Sequence, residues 1–215
     1  MGLYKQARVA LKQACQINEA LGARTSLAYS LINLADMYLA TSDLRKARQL
    51  AEKGLQELSP SQDIFGKIFA LLELGFVLLI MGDSLSAARR FSEMHELGLS
   101  HELIALAYEA KNGLAASAIM QGQLEEARRF AYEIWDYLKE HGWVGMSYPM
   151  RVYRTCAETF DALGEAENAQ AVIESGHQIL MEMADQINVP EWRQSFLENV
   201  PDNRSIVEMW ERRKL

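Results

Sequence analysis

Residues 74–87, LGFVLLIMGDSLSA, place small residues at Gly75, Gly82 and Ala87. The same spacing recurs in LADMYLATSDLRKA (34–47), LAASAIMQGQLEEA (114–127) and CAETFDALGEAENA (156–169). The position of Gly82 is taken by Ser42, Gly122 and Gly164 in the other stretches, a period of forty or forty-two residues. A fixed period of this length is typical of a stacked repeat, in which each unit buries its apolar face only against its neighbours.

Apolar residues on both sides of each small residue follow helical spacing. Before Ser42 they fall at Leu27, Leu31 and Leu34, and after it Leu44, Ala47 and Leu50 continue in steps of three. Each period is therefore predicted to be a helical hairpin. Pro60 is expected to end the second helix of the first hairpin.

The composition fits a soluble all-α protein, with 49% hydrophobic and 24% charged residues and four prolines in 215 residues. The net charge of −7 disfavours a nucleic-acid surface, which requires clustered basic residues. Ile68–Met81 is the most apolar stretch but includes Glu73 and is too short to span a membrane, so it predicts a buried helix. Cys15 and Cys156 suit packing positions, which favours a reducing, cytoplasmic setting over a disulfide.

The small residues Ala35 and Ala47, and the equivalent pairs Gly75/Ala87, Ala115/Ala127 and Ala157/Ala169, are twelve apart. This spacing resembles the tetratricopeptide repeat, whose two helices carry small residues at that separation. The resemblance covers residues 2 to about 187. The period is longer than the usual repeat length of about thirty-four residues. In this respect the chain resembles a variant of the repeat found in bacterial signalling proteins. The tetratricopeptide resemblance implies a right-handed α-α superhelix of about eleven helices.

The predicted organisation is one solenoid over residues 1–215. It comprises a second-type helix without a partner at 3–22, hairpins at 25–58, 62–98, 100–141 and 146–187, and capping helices within 190–213, from Pro190 to Glu198 and from Asn203 to Arg212. The unpartnered helix predicts that the chain is the carboxyl-terminal part of a larger protein. The alternative is a short native protein whose first helix caps the stack.

The stretch SFLENVPDNR (195–204) resembles a closing segment of large bacterial regulators. Those proteins join a nucleotide-binding ATPase to long repeat arrays. The resemblance implies a sensor or scaffold module of a signalling ATPase.

Catalytic motifs are not found in the sequence. It has no Walker-type phosphate loop. His95 and His101 are expected to lie across a solvated connection at Leu97–Leu99, which disfavours a metal site. We therefore expect no enzyme activity, metal or cofactor.

The tetratricopeptide resemblance implies that the first helix of each hairpin lines a concave groove. The candidate binding residues are Tyr29, Asn33, Asp36, Phe69, Leu72, Glu73, Phe76, Glu109, Asn112, Arg151, Arg154 and Glu158. The apolar early part would suit an amphipathic helix or peptide, although a tightly wound superhelix would bury the same residues. Arg151 and Arg154 would pair with an acidic partner or with Glu158.

The leading hypothesis is a non-catalytic module that binds a protein or peptide. Two alternatives stay open. One is self-association as a homodimer through the amino-terminal end near Tyr4 and Leu11, and the other is binding of a small-molecule inducer.

Overall fold

The computed structural model describes residues 2–59 and 61–214, and these residues form eleven α-helices and no strands. This confirms the predicted all-α class. The helices are α1 (Tyr4–Ala20), α2 (Arg24–Leu39), α3 (Leu44–Leu58), α4 (Ile64–Ile80), α5 (Ser84–Ser100), α6 (Ile104–Met120), α7 (Leu124–His141), α8 (Pro149–Ala162), α9 (Ala166–Asp185), α10 (Pro190–Asn199) and α11 (Pro201–Arg213). Pro60, predicted to end the second helix, lies outside the described residues, and α3 ends at Leu58.

The helices fall into two compact units, residues 4–113 and residues 114–214 with residues 2 and 3. In the first unit α2 packs on α3, α4 packs on α5, and α1 packs on α2. In the second unit α8 packs on α9, and α11 packs on both. Across the described ranges, no helix combines the length and apolar character needed to cross a bilayer.

One type of turn recurs at the ends of the helices. At Gly82, with φ of 87°, the Gly82 N–H donates to the Leu79 carbonyl and the Asp83 N–H donates to the Leu78 carbonyl. This bond pair defines the Schellman motif, in which a left-handed residue satisfies the last helical carbonyls. The same two bonds recur at Gly22, Ser42, Glu102, Gly122 and Gly164.

The turns at Gly22 and Glu102 lie outside the helical hairpins of the structure. The turn at Gly22 connects α1 to the first hairpin and the turn at Glu102 connects α5 to α6, whereas Ser42, Gly82, Gly122 and Gly164 lie inside hairpins. Gly22, Ser42, Gly82, Glu102 and Gly122 are twenty or forty residues apart. The same turn therefore occurs both within and between hairpins, but α3 and α7 end with different hydrogen bonds, so the hairpin remains the repeating unit.

The core of the first unit is organised around Phe91 of α5. Its ring is fully buried, packs against Gly75 of α4 and Gly113 of α6, and meets the Phe76 ring edge to face at 5.0 Å between centroids. A glycine on each neighbouring helix makes room for one large aromatic side chain. The small residues predicted at Ala35, Ala47, Gly75 and Ala87 are all buried, as close helix approach requires.

The carboxyl-terminal helices begin and end slightly differently from the prediction. The last helix, α11, begins at Pro201 rather than Asn203, and α10 runs to Asn199 rather than Glu198. Proline is compatible with the first turn of a helix, because its missing N–H would have no intrahelical partner there. Pro201 therefore starts α11, and the extended backbone of Val200 separates the two helices.

Candidate functional site

Four of the candidate groove residues keep accessible surface in the first unit. Tyr29, Asn33 and Asp36 follow one face of α2 at steps of four and three, and Phe69 lies on α4. We call these four residues the α2–α4 strip. Asn33 is exposed, and the other three are partly buried. Residues at this helical spacing are neighbours on the surface, so the strip is continuous along α2.

Two contacts fix the α2–α4 strip to its surroundings. The Tyr29 hydroxyl donates to Oδ1 of Asp63 at 3.2 Å, and the same oxygen accepts the Gly66 N–H at the start of α4. Phe69 packs against a buried cluster formed by Ala28, Ile32, Leu58 and Ala70. The Asn33 amide makes no hydrogen bond to any described residue, which leaves both a donor and an acceptor facing outward.

Further along α4 the candidate residues are interior. Leu72, Glu73 and Phe76 are 0%, 1% and 3% exposed, within a segment buried continuously from Ala70 to Leu78. The prediction that these three residues line an open groove is therefore wrong. They pack in the interior, which is the alternative given above. The physical reason is that α4 is apolar on every side, and a helix of that kind is buried.

The candidates on α6 are also interior. Glu109 is 1% exposed and Asn112 is 0% exposed. Neither polar atom of the Asn112 amide has a hydrogen-bond partner within the described part of the chain. These side chains do not present a surface to a partner in this structure.

The candidates on α8 are brought together by a residue that the sequence analysis missed. Asp202, in the first turn of α11, accepts from Nε of Arg154 at 2.9 Å and from Nε of Arg151 at 3.2 Å. Arg154 also donates from Nη1 to the Glu158 carboxylate at 2.7 Å. The predicted pairing of Arg154 with Glu158 is present, but both guanidinium groups are also held by an acid of the same chain.

The electrostatics of this cluster favour the ionised acid. Burial alone raises the pKa of Asp202, but the two guanidinium charges and their hydrogen bonds outweigh burial and hold that pKa below its usual range. Burial lowers the pKa of Arg154, but the charges and hydrogen bonds of Asp202 and Glu158 outweigh burial and raise that pKa above its usual value. The arginine therefore stays charged. Arg151 also stacks on the Tyr148 ring at 4.2 Å.

A second polar network, around Glu165, was also missed. Its carboxylate accepts from Arg128 at 2.8 Å, from the Tyr132 hydroxyl at 2.8 Å and from Asn168 at 2.9 Å. The bond from Arg128 is the main reason that the pKa of Glu165 is lowered. The network ties α7 to the start of α9 on a largely exposed surface. Its residues are 33 or 37 positions apart where they cross helices, so sequence spacing gave no signal.

The histidines are placed differently from the expectation. Leu97, Gly98 and Leu99 belong to α5, which continues to Ser100, so they form helix and not a solvated connection. Gly98 has no Cβ and lies against Ala107, so α5 and α6 pack closely at this point. Nδ1 of His95 donates to the Ala107 carbonyl at 2.9 Å. Within residues 2–59 and 61–214, no group of three metal-ligating side chains converges.

The fold defines a class of protein with tetratricopeptide-like helical repeats. The structure is similar to the crystal structure of BtubC (BKLC) from P. vanneervenii, with 14% identity, a TM-score of 0.62, and 99% of this chain and 91% of that chain covered. It is also similar to a Podosopora anserina putative kinesin light chain with nearly identical TPR-like repeats. One crystal structure of those repeats, of a substituted form, has 17% identity and a TM-score of 0.61, with 86% of this chain and 90% of that chain covered.

A further crystal structure of the Podosopora anserina repeats has 18% identity and a TM-score of 0.57, with 87% of this chain and 90% of that chain covered. No protein-family model and no curated protein matches the sequence. At these identities the likeness establishes the fold.

Proposed function

We propose that this protein is a non-catalytic interaction scaffold that binds an extended peptide or a partner helix along the α2–α4 strip. The main support is the pattern of burial, since Tyr29, Asn33 and Asp36 keep accessible surface on α2 whereas the α4 residues Leu72 and Phe76 do not. An outward-facing asparagine amide suits a peptide, because it donates to a backbone carbonyl and accepts from a backbone N–H.

A displayed library of random peptides tests this function. Peptides selected on the wild-type chain are expected to lose at least tenfold in affinity with Asn33→Arg, which places a long charged side chain on the strip. Gln49→Arg is the matched control, because Gln49 is an exposed helical position on α3. Equal loss with both variants, or no selected peptide, contradicts the proposal.

A second candidate function is self-association through α1. No α1 residue is buried, and Val9 and Ile17 are 60% and 58% exposed. Val9, Gln13, Ile17 and Ala20 are all exposed and lie at steps of four, four and three, so they share one outward side of α1. Light scattering over a range of concentrations tests this function, with Val9→Glu as the variant. A monomer at every concentration contradicts it.

We further infer that the scaffold serves a larger bacterial regulator in the cytoplasm, supported by the resemblance of residues 195–204 to a closing segment of such proteins. Sequencing the gene tests this. A Walker-type phosphate loop in the same reading frame upstream of Met1 supports the inference, and a stop codon directly upstream contradicts it.

A further inference from the structure

The last helix is held on α8 and α9 by four side chains at regular spacing. Asp202, Ile206, Trp210 and Arg213 lie at steps of four, four and three, so they share one face of α11. Asp202 binds Arg151 and Arg154, as described above, and Ile206 is fully buried. This is the arrangement by which an amphipathic peptide helix binds a surface.

The other two side chains extend the contact to the end of α11. The Trp210 ring stacks on the His177 ring of α9 at 4.9 Å between centroids, with 21° between the planes. Arg213 forms an ion pair with Asp161 of α8. The anchors are therefore an acid in the first turn, an aliphatic residue, an aromatic ring, and a cation in the last turn.

The positive charges on the α8 surface make the acid in the first turn the most selective of these four anchors. Arg151 is 8% exposed, and Arg154 lies beside it on the same carboxylate. A carboxylate between two guanidinium groups held this close offsets their mutual repulsion, so its removal is destabilising. Asp202 lies in the first turn of α11, where the helix dipole also favours negative charge.

The attachment of α11 is polar for a helix of its length. Ile206 is its only fully buried apolar side chain, and α10, which leads into it, has no buried residue. The helices α10 and α11 therefore contribute few fully buried side chains to the fold. Segments with few buried apolar contacts open at a lower free energy than the core.

We propose that the α8–α9 face is a binding site for an amphipathic helix with a carboxylate in its first turn, and that α11 is the occupant within the chain, which a partner helix displaces. The site is separate from the α2–α4 strip and does not depend on its function. A matching partner carries the acid, then an aliphatic residue four positions later, an aromatic residue eight positions later and a cation eleven positions later.

Exchange of α11 with a synthetic copy of itself tests this site on the full chain. The probe is a fluorescein-labelled peptide of residues 200–214, VPDNRSIVEMWERRK. Asp202→Asn in the chain weakens the internal occupant and leaves Arg151 and Arg154 in place. We expect the peptide to bind this variant at least tenfold more tightly than the wild type, whose own α11 competes. A peptide carrying Asp202→Asn is expected to bind the variant at least tenfold more weakly than the natural peptide.

Thermal melting in the presence of the peptide provides the second measurement. The peptide should raise the Tm of the Asp202→Asn chain and leave the wild-type Tm unchanged. If Asp202→Asn prevents folding, Trp210→Ala takes its place, because it removes a different anchor. No binding to either folded variant, equal binding to wild type and variant, or equal binding of the two peptides overturns the site. Asn33→Arg should leave peptide binding unchanged, which separates this test from that of the α2–α4 strip.

Discussion

A Cβ atom added at Gly75 of α4 would lie 2.6 Å from Cε1 of Phe91 on α5. The ring fills the space that any side chain at position 75 would need, so α4 and α5 approach at a separation that only glycine permits. The small residue at position 75 is thus required by a direct contact in the core.

Gly75→Val should therefore destabilise the fold by about 2 kcal/mol, because overpacking forces the ring or the helix to move. Urea denaturation followed by circular dichroism measures the change. Ala10→Val, at an exposed position of α1, is the control and should change stability by less than about 0.5 kcal/mol. Adding Phe91→Leu to Gly75→Val should restore part of the loss. A Gly75→Val chain as stable as wild type would contradict the packing described.

Two turns carry a residue other than glycine in the left-handed region, Ser42 with φ of 62° and Glu102 with φ of 57°. Glycine adopts this conformation without steric cost, so Ser42→Gly and Glu102→Gly should each stabilise the protein by up to about 1 kcal/mol. The midpoint of urea denaturation checks this. Glu96→Gly, inside α5, is the matched control and should lose about 1 kcal/mol. Destabilisation by both turn variants would show that the original side chains do more than occupy the turn.

Asp202→Asn should destabilise the fold by about 3 kcal/mol at neutral pH, because it leaves Arg151 and Arg154 without their shared carboxylate. The folded pKa of Asp202 is below its unfolded value near 4, so its contribution is present above about pH 4 and is lost as pH falls through the lower folded pKa. The difference in unfolding free energy between wild type and variant, measured from about pH 7 down to about pH 2, should shrink over that range. A difference independent of pH would contradict an ionised Asp202.

The two cysteines should differ in reactivity. Cys156 is fully buried, and burial raises the pKa of its thiol strongly, so little reactive thiolate forms. Cys15 is partly exposed; burial also raises its pKa, although Lys53 opposes the shift. Labelling with a maleimide should modify Cys15 in the native protein and both thiols in urea. Cys15→Ser should leave no thiol that reacts in the native state, and modification of both at equal rates would contradict the burial of Cys156.

The helices were predictable because their signals are local. Gly82 ends α4 through its left-handed backbone, and Ala87 provides a small buried position five residues later in α5, so both act within one hairpin. The turn at Glu102 was missed because it carries a glutamate where the similar turns carry a glycine or a serine. Sequence alone does not distinguish a glutamate in a left-handed turn from one on a helix surface.

The candidate site was only partly predictable. Leu72 and Phe76 have the same apolar character whether they line an open groove or an interior, and the covering of α4 depends on packing that the repeat pattern does not encode. Asp202 meets Arg154 across 48 positions, and only its place after Pro201 marks it as an acid in a first helical turn. Contacts over such separations depend on how successive helices stack.

The similar turns after α1, α2, α4, α5, α6 and α8 set a rule for redesigning the chain. An added segment of about twenty residues, made of one helix and this turn, would join the array through the same type of connection. It would, however, exchange the roles of every later helix, since each first helix would take the place of a second. An added segment of about forty residues would preserve those roles, so the array can be lengthened by pairs of helices while Asp202 keeps its arginines.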